Sequence, residues 1–324
     1  MSGGHLEVLA PGLLTTVQDV VGRVPFARLG VPGGGAMDRP AARLANRLVG
    51  NPAHAALLEA TLVGPSLRIA VCPRVIALTG ADLSATLDDR PLRPGWSVYA
   101  RTGAVLSFGE RRAGVRAYIA VQGGIEAPLV LGSRATDLLS GFGGLDGRAL
   151  RAGDQLLCGP AISAEPAGRS TAEVWRPPDP DAAVRILPGP HVDSFAAGAL
   201  AALCAGRWTI TQQADRMGYR LAGGAALEHL SGADVPSLGL PSGAIQVPAD
   251  GQPIVLLADH QPTGGYTVLA TVIQADLHVL AQRGPGDSVQ FQATTVEQAR
   301  LSLGAQREEL PLVGDEPEFA AGWA

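Results

Sequence analysis

Short apolar runs broken by turn residues are the feature that most constrains what this 324-residue chain can form. Gly, Pro and Asp bound the runs, and the chain holds 42 Gly and 25 Pro spread along its length. The runs are residues 6–9, 66–71, 75–80, 116–121, 184–187, 207–211 and 253–258. Runs of this length with frequent turn signals are typical of strands in barrels and sandwiches. The pattern therefore predicts a mainly β fold with few helices.

The clearest helical segment is DRPAARLANRLVGN, residues 38–51. Asp38 is a suitable N-cap, and Pro40 falls in the first turn, where a missing N–H costs nothing. Gly50 is placed to end the helix in the left-handed conformation that glycine tolerates. This segment predicts one well-capped helix.

A second helix is expected within residues 192–206, VDSFAAGALAALCAG. Asp193 or Ser194 is its predicted cap, because both side chains can accept a hydrogen bond from a first-turn N–H.

The segment 161–183 has the Pro, Ser and acidic mixture of a linker. Strand-like residues followed by Pro-Gly occur on both of its sides, in LEVLAPG (6–12) and VRILPGP (184–190), which hints at two similar β lobes. The predicted division is an N-terminal lobe at 1–175, a C-terminal lobe at 184–310 and a tail at 311–324.

Charge and composition exclude several partners. A net charge of −5 and a pI near 5.7 argue against nucleic-acid binding, which needs a clustered basic surface. The longest bland apolar run, 195–206, is too short to cross about 30 Å of hydrocarbon, so no membrane is expected. Three widely spaced cysteines and an N-terminus without signal-peptide character favour a reduced, cytoplasmic setting.

The sequence contains no lysine, so all 25 basic residues are arginine. A phosphate-binding P-loop lysine, a Schiff base and a lysine nucleophile are thereby excluded. Biotin attachment to this chain is excluded as well, because it needs a lysine amine. An anionic substrate would have to be held by arginine forks or by backbone amides.

Residues 243–266, GAIQVPADGQPIVLLADHQPTGGY, join two apolar runs through a turn at 248–251 and end in polar residues. If that turn closes a hairpin, Gln246 pairs near Ile254, and Asp259 lies roughly 16 Å further along at about 3.3 Å per residue. Gln246 and Asp259 should then not share one small site.

The candidate site residues are accordingly drawn from the polar end of this segment. Gly264 and Gly265 permit close backbone approach to a ligand or a positive φ, and Tyr266 can donate a hydrogen bond from an apolar wall. The candidate catalytic residues are Asp38, Asp259, Gln261 and Tyr266, because a carboxylate can act as a general base and the others can polarise an amide.

Two arginines are the candidate anion holders. Arg23 ends the segment TTVQDVVGR (15–23), and Arg216 lies in the similar segment QADRMGYRL (213–221). Together with Gly264 and Gly265 they form the predicted substrate-binding set.

Two further motifs keep alternative interpretations open. The glycine-rich residues 30–38, GVPGGGAMD, are either a tight turn that caps a helix or a backbone surface around a ligand. The six histidines show no metal-ligand spacing, so no metal site is predicted. His260 and His278 are expected to be surface or hydrogen-bonded histidines, with an acid–base role as the less favoured alternative.

Eight segments, in order, give the chain a family resemblance over about residues 6–290. They are APGLLTTVQDVVGR, GVPGGGAMD, NRLVGNP, EATLVGP, YIAVQGGI, LGSRAT, DRMGYRL and GAIQVPADGQPIVLLADHQPTGGY. Together they resemble the allophanate hydrolase subunit 2 family, also called the biotin-dependent carboxyltransferase family, which includes the C subunit of 5-oxoprolinase. The familiar TTGGYP ending reads PTGGYT here, with Pro262 and Thr267.

The resemblance implies two cyclophilin-like β-barrel lobes with a few short helices. It also implies partners, the B and A subunits of 5-oxoprolinase, and ATP-dependent opening of 5-oxoproline to glutamate by the whole complex, with ATP used at the level of that complex. Two alternatives stay open: a carboxyltransferase subunit of a urea carboxylase-like system that takes carboxybiotin from another chain, and a non-enzymatic regulator of a kinase acting through a partner that resembles the B subunit. Amidase-type allophanate hydrolysis is not expected, because its Ser-Ser-Lys arrangement needs a lysine.

Overall fold

A computed structural model describes residues 4–71, 74–160, 168–171, 177–307 and 312–313. The described residues form two compact units: the first within 1–22, 38–177 and 310–324, the second within 23–37 and 178–309. Strands dominate, one sheet is a nearly closed barrel, and the helices are few and short, which confirms the predicted fold class.

The first unit consists of two antiparallel sheets. Its strands are β1 (Gly4–Ala10), β2 (Leu14–Gln18), β3 (Leu57–Thr61), β4 (Ser66–Val71), β5 (Arg74–Asp82), β6 (Thr86–Leu87), β7 (Arg90–Pro91), β8 (Trp96–Ala100), β9 (Val105–Ser107), β10 (Ala113–Val121), β11 (Gln155–Cys158), β12 (Ser170–Thr171) and β23 (Leu312–Val313). The sheet orders are β11-β1-β4-β9-β6-β7 and β2-β3-β10-β5-β8-β12-β23. Apolar side chains from both sheets, among them Leu6, Ile69, Ile76 and Ile119, form one buried cluster.

Helix α1 (Arg39–Leu48) belongs to the first unit and begins as predicted. The Asp38 carboxylate accepts a hydrogen bond from the Ala41 N–H at 2.9 Å, and Gly50 follows the helix in the left-handed region at φ 72°. Leu44 and Leu48 are buried while Arg43 faces solvent. The cap and the glycine stop are confirmed.

The second unit is built on an eight-stranded sheet with a separate two-stranded ribbon. Its strands are β13 (Val184–Pro188), β14 (Trp208–Ala214), β15 (Gly218–Ala222), β16 (Asp234–Gly239), β17 (Ala244–Gln246), β18 (Ile254–Leu256), β19 (Thr263–Tyr266), β20 (Val268–Val272), β21 (Ser288–Val289) and β22 (Phe291–Ala293). The sheet order is β21-β14-β15-β18-β17-β20-β13-β22, and β16 pairs with β19 to form the ribbon. Trp208, Tyr219, Ile245, Val255 and Phe291 lie in its apolar core.

Three α-helices accompany these strands: α2 (Ala199–Ala205), α3 (Leu277–Ala281) and α4 (Val296–Arg307). Short 3-10 helices lie at Val24–Leu29, Val192–Ser194 and Gln274–Asp276. The predicted cap of α2 is wrong, because the helix begins after Gly198 and not at Asp193 or Ser194. Phe195 pairs with His229 in an isolated bridge, with an extended backbone at φ −108° and ψ 158°. This tertiary pairing keeps Phe195 extended, so the 3-10 helix at Val192–Ser194 does not continue into α2.

The predicted hairpin at 243–266 is confirmed. Gln246 lies opposite Ile254, and the Gly251 N–H donates to the Pro248 carbonyl at 2.9 Å to close the turn. β17 and β18 therefore run antiparallel in the register that the turn dictates, with Asp259 beyond the end of β18.

The division of the chain differs from the predicted boundaries in three places. Residues 23–37 belong to the second unit, although they lie within the predicted N-terminal lobe. Within the predicted linker, 161–167 and 172–176 lie outside the described residues, but Ser170 and Thr171 form strand β12. Leu312 and Val313, predicted to lie in a tail, pair with β12, because its free backbone edge accepts one more strand.

Among the described residues, no helix combines the length and apolar character needed to cross a membrane.

Candidate functional site

A buried ion pair in the second unit joins two of the predicted site residues. Arg216 donates from Nε and Nη2 to the two carboxylate oxygens of Asp259, at 2.8 and 2.9 Å. The side chains are 4% and 10% exposed. The backbone supports the pair, since the Asp259 N–H donates to the Arg216 carbonyl at 2.9 Å. Two parallel charge-assisted bonds fix both side chains in one geometry.

The same guanidinium also holds the glycine-rich segment. Arg216 Nη2 donates to the Gly35 carbonyl at 2.6 Å, and the Gly34 N–H donates to the Ala258 carbonyl at 2.8 Å. Gly34 and Gly35 have φ values of 63° and 84°, which only glycine adopts readily. Residues 33–35 thus bend through left-handed glycines, and long-range hydrogen bonds hold them against the strand end that carries Asp259. The two predicted interpretations of this segment, a turn that caps a helix and a backbone surface around a ligand, both stay predictions.

Arg23 is placed beside this turn. Its backbone N–H donates to the Gly33 carbonyl at 2.5 Å, and its side chain is only 1% exposed. A Cβ on residue 34 would lie 3.7 Å from Arg23 Nη1 and 3.8 Å from Asp259 Oδ1. The structure therefore brings together Arg23, Arg216 and Asp259, three residues widely separated in the sequence.

This cluster carries two cationic side chains and one carboxylate. The Arg216 guanidinium donates hydrogen bonds to Asp259 and to the Gly35 carbonyl, and these bonds hold residues 33–35 in place. Direct anion binding by either arginine stays a prediction.

His260 follows Asp259 and is buried, with 6% of its surface exposed. Its Nδ1 lies 2.7 Å from the Gln261 carbonyl oxygen. Because a carbonyl oxygen can only accept, Nδ1 carries the proton and Nε2 presents its lone pair. Burial lowers the pKa of His260, with the Gln261 carbonyl and the Asp259 charge acting in the opposite direction. The sequence predicted a surface or hydrogen-bonded histidine, and His260 is hydrogen-bonded and not at the surface.

Gly264 lies on the ribbon strand β19 in a crowded position. A Cβ there would lie 2.7 Å from Leu240 Cδ1, 2.9 Å from Gln246 Nε2 and 3.7 Å from Gln261 Nε2. Gln246 is 2% exposed, and its Nε2 has no hydrogen-bond partner among the described residues. Gln246 and Gln261 are therefore both close to Gly264.

Positive φ does not explain either glycine of this pair. Gly264 and Gly265 are absent from the left-handed region and form part of a regular strand. A side chain at position 265 would be crowded instead, since a Cβ there would lie 3.2 Å from the Val235 carbonyl oxygen. Of the two predicted reasons, the positive φ is wrong, and close approach to a ligand stays a prediction. The crowding at both glycines comes from atoms of their own unit.

Tyr266 ends the ribbon strand opposite Asp234, with 43% of its surface exposed. Gln261 is exposed as well. Both side chains are accessible from solvent, in contrast to the ion pair formed by Asp259.

Asp38 belongs to the first unit and is fully buried. Its carboxylate caps α1, while its N–H donates to the Tyr118 hydroxyl at 2.7 Å, which in turn donates to Glu59 at 2.8 Å. Burial, followed by the Glu59 carboxylate, raises the pKa of Tyr118 well above its usual value. This geometry favours a structural role for Asp38, and a catalytic one stays a prediction.

Asp19, from the same sequence segment as Arg23, is a saturated structural carboxylate. It accepts hydrogen bonds from the Val21 and Gly22 N–H groups, the Ser133 hydroxyl and the Arg134 N–H, at 2.7–3.0 Å. In the described part of the chain, no group of three or more His, Cys, Asp or Glu side chains is arranged to hold a metal ion.

Comparison with known proteins identifies the family of the chain. Residues 29–293 match the family described as "Carboxyltransferase domain, subdomain A and B". The chain belongs to the carboxyltransferase-domain family. The matched range contains the glycine turn, Arg216 and the whole of residues 243–266, so this carboxyltransferase domain includes nearly all predicted site residues.

Individual relatives agree with the assignment. The chain is 39% identical to the C subunit of 5-oxoprolinase from Escherichia coli over 91% of its own length and 93% of that protein. The crystal structure of TTHA0988 superposes with a TM-score of 0.80 at 39% identity, covering 89% of this chain and 56% of that one. Kluyveromyces lactis urea carboxylase gives a TM-score of 0.84 at 32% identity, covering 93% of this chain and 28% of that one. The carboxyltransferase domain thus spans only part of each of these two solved structures.

Two buried residues near the candidate site, Gln246 and His260, were not among the predicted site residues. Gln246 was set apart from Asp259 by strand geometry, yet its Nε2 would lie 2.9 Å from a Cβ on Gly264, which follows Asp259 in the chain. The signal that could have found it is the change from apolar to polar at the end of AIQ in a strand that is otherwise buried.

Proposed function

We propose that this chain is the C subunit of an ATP-dependent 5-oxoprolinase that opens the lactam of 5-oxoproline to glutamate together with the B and A subunits. The observation that carries the proposal is the 39% identity to the C subunit of the Escherichia coli enzyme, sustained over 93% of that protein. A second such relative, the C subunit of 5-oxoprolinase from Haemophilus influenzae, is 35% identical over a similar share. ATP is used at the level of the complex, and biotin has no attachment lysine in this sequence. The expected setting is the cytoplasm.

The second unit supplies groups suited to a small amide. Gln261 and Tyr266 are exposed and carry hydrogen-bonding side chains. Arg23, Arg216 and Asp259 hold the turn at residues 33–35 next to the loop from which Gln261 projects. We assign the exposed pair to substrate contact and the buried cluster to positioning.

A carboxyltransferase acting with carboxybiotin from another chain is the second candidate. It is favoured by the likeness to Kluyveromyces lactis urea carboxylase, with a TM-score of 0.84. Regulation of a kinase through a partner that resembles the B subunit is the third, and it would require binding without turnover.

The test is co-expression and purification with the A and B subunits, followed by measurement of ADP and glutamate release with and without 5-oxoproline. Release of both products that depends on all three chains supports the proposal. A complex that is silent with 5-oxoproline but carboxylates urea from carboxybiotin selects the second candidate, and a stable complex without turnover selects the third.

Tyr266→Phe tests the assignment of substrate contact within this assay. It removes one hydroxyl from an exposed side chain, so the fold should be unaffected while the KM for 5-oxoproline rises. Tyr99→Phe, on a side chain that is 44% exposed in the first unit, is the matched control.

A further inference from the structure

His260, next to the ion pair in the chain, uses one ring nitrogen in a hydrogen bond and leaves the other without one among the described residues. Nδ1 donates to the Gln261 carbonyl at 2.7 Å, which fixes the tautomer. Nε2 has no hydrogen-bond partner among the described residues. It is also absent from the unpaired side-chain atoms that are fully buried, so solvent reaches it. The ring is thus held in place by its own loop, with a basic lone pair that no hydrogen bond among the described residues uses.

The surroundings keep this imidazole neutral. The residue is 6% exposed, and desolvation lowers its pKa from the usual value of 6.5. Asp259 is the charged neighbour that opposes this shift, and its carboxylate is already paired with Arg216. A neutral imidazole near pH 7 is the form that can accept a proton.

The loop also fixes where the lone pair stands. The His260 N–H donates to the Leu257 carbonyl at 3.2 Å, and the preceding Asp259 is bound through both backbone and side chain to Arg216. A histidine on a loop held at several points is pre-organised, which a general base requires.

We propose that His260 is the proton acceptor for the amide N–H of the substrate, an inference that rests on the proposed function. The Nε2 lone pair takes the proton from the lactam nitrogen. The electron pair of the broken N–H bond forms the second C–N bond, and the carbonyl π pair moves onto oxygen. The products of this step are an imidazolium and an imidate oxyanion, so atoms and charge balance.

His260→Asn in the assembled complex is the principal test. The Asn amide N–H can replace Nδ1 in donating to the Gln261 carbonyl, whereas the basic Nε2 is lost. We expect kcat to fall about 10²- to 10⁴-fold, the usual contribution of a general base. The acid limb of the pH profile, set in the wild type by a pKa below 6.5, should disappear in the residual activity.

His278→Asn is the matched control. His278 lies in the same unit, and its Nδ1 is hydrogen-bonded to the Gln306 amide at 3.1 Å, but it carries no assigned function. Its turnover should equal that of the wild type. Full turnover of His260→Asn with an unchanged pH profile overturns the inference and leaves the proposed function intact.

A spectroscopic measurement distinguishes the role of His260 from the proposed 5-oxoprolinase function. In the ¹⁵N spectrum of the histidine-labelled complex, His260 should show the Nδ1–H tautomer, and 5-oxoproline should shift its Nε2 resonance. An Nε2 resonance that does not move at saturating 5-oxoproline overturns the role of His260 even if glutamate is released. A shift in a complex that releases no glutamate supports His260 as an amide contact while the proposed function fails.

Discussion

Asp259 accepts both the Nε–H and the Nη2–H of Arg216 within 2.9 Å, which joins two segments 43 residues apart in the second unit. The same guanidinium reaches the Gly35 carbonyl, so one side chain connects three parts of the chain. The pair is nearly closed to water, and both charges depend on each other for compensation. Arg216 and Asp259 therefore act as one structural element.

Arg216→Met should destabilise the protein by about 3–5 kcal/mol, because it leaves the Asp259 carboxylate buried without its partner. Urea unfolding measures the change. Arg220→Met, at an exposed arginine four residues away, is the control and should cost less than about 0.5 kcal/mol. Equal losses of unfolding free energy in the two variants would show that the buried ion pair does not stabilise the fold more than an exposed arginine does.

Gly264→Ala should destabilise the second unit by about 1–3 kcal/mol, because the new methyl group meets Leu240 and Gln246 at under 3.0 Å. Both contacts are with side-chain ends that can shift only within a buried cluster. Gly239→Ala, on the paired ribbon strand, has nothing within 4 Å of its new methyl group and should be nearly neutral. Thermal unfolding of both variants makes the comparison, and a neutral Gly264→Ala would contradict the packing explanation.

Asp38→Ala should cost about 0.5–2 kcal/mol through loss of the α1 cap, and Asp38→Asn should cost less, since its amide oxygen can still accept from the Ala41 N–H. Circular dichroism and urea unfolding give the two values. If Asp38 is only a cap, the complex containing Asp38→Asn keeps its turnover. A stable Asp38→Asn protein without turnover would restore this residue to the catalytic set.

The lowered pKa of His260 predicts how stability depends on pH. Below about pH 6.5 the unfolded chain binds a proton at this histidine that the folded chain does not, so stability falls as the pH drops towards the folded pKa. Above that window His260 is neutral in both states and contributes nothing to the slope. Urea unfolding of wild type and His260→Asn between about pH 5 and pH 8 isolates the effect. A wild-type curve parallel to that of the variant would contradict it.

Local signals in the sequence were enough to predict much of this fold. The cap at Asp38, the stop at Gly50 and the pairing of Gln246 with Ile254 depend on residues close in the chain, and all three are confirmed. The start of α2 depends on a bridge between Phe195 and His229, which no local pattern contains. Tertiary pairing therefore decided the one helix end that was predicted wrongly.

The site was less accessible to sequence reasoning. Arg216 was selected as an arginine able to hold an anion and Asp259 as a polar residue at the end of an apolar strand, but their pairing follows from the β15–β18 register. That the turn at residues 33–35 belongs with the second unit follows from long-range hydrogen bonds to Ala258 and from Arg216. The burial of His260 likewise depends on packing that its sequence neighbours do not reveal.

Product release by the complex of this chain with the A and B subunits of 5-oxoprolinase tests the proposed activity directly. We expect ADP and glutamate in equal amounts when 5-oxoproline and ATP are supplied, and neither product when this chain is omitted. Glutamate formation at the same rate without this chain, or a fully assembled complex that leaves 5-oxoproline intact, would contradict it.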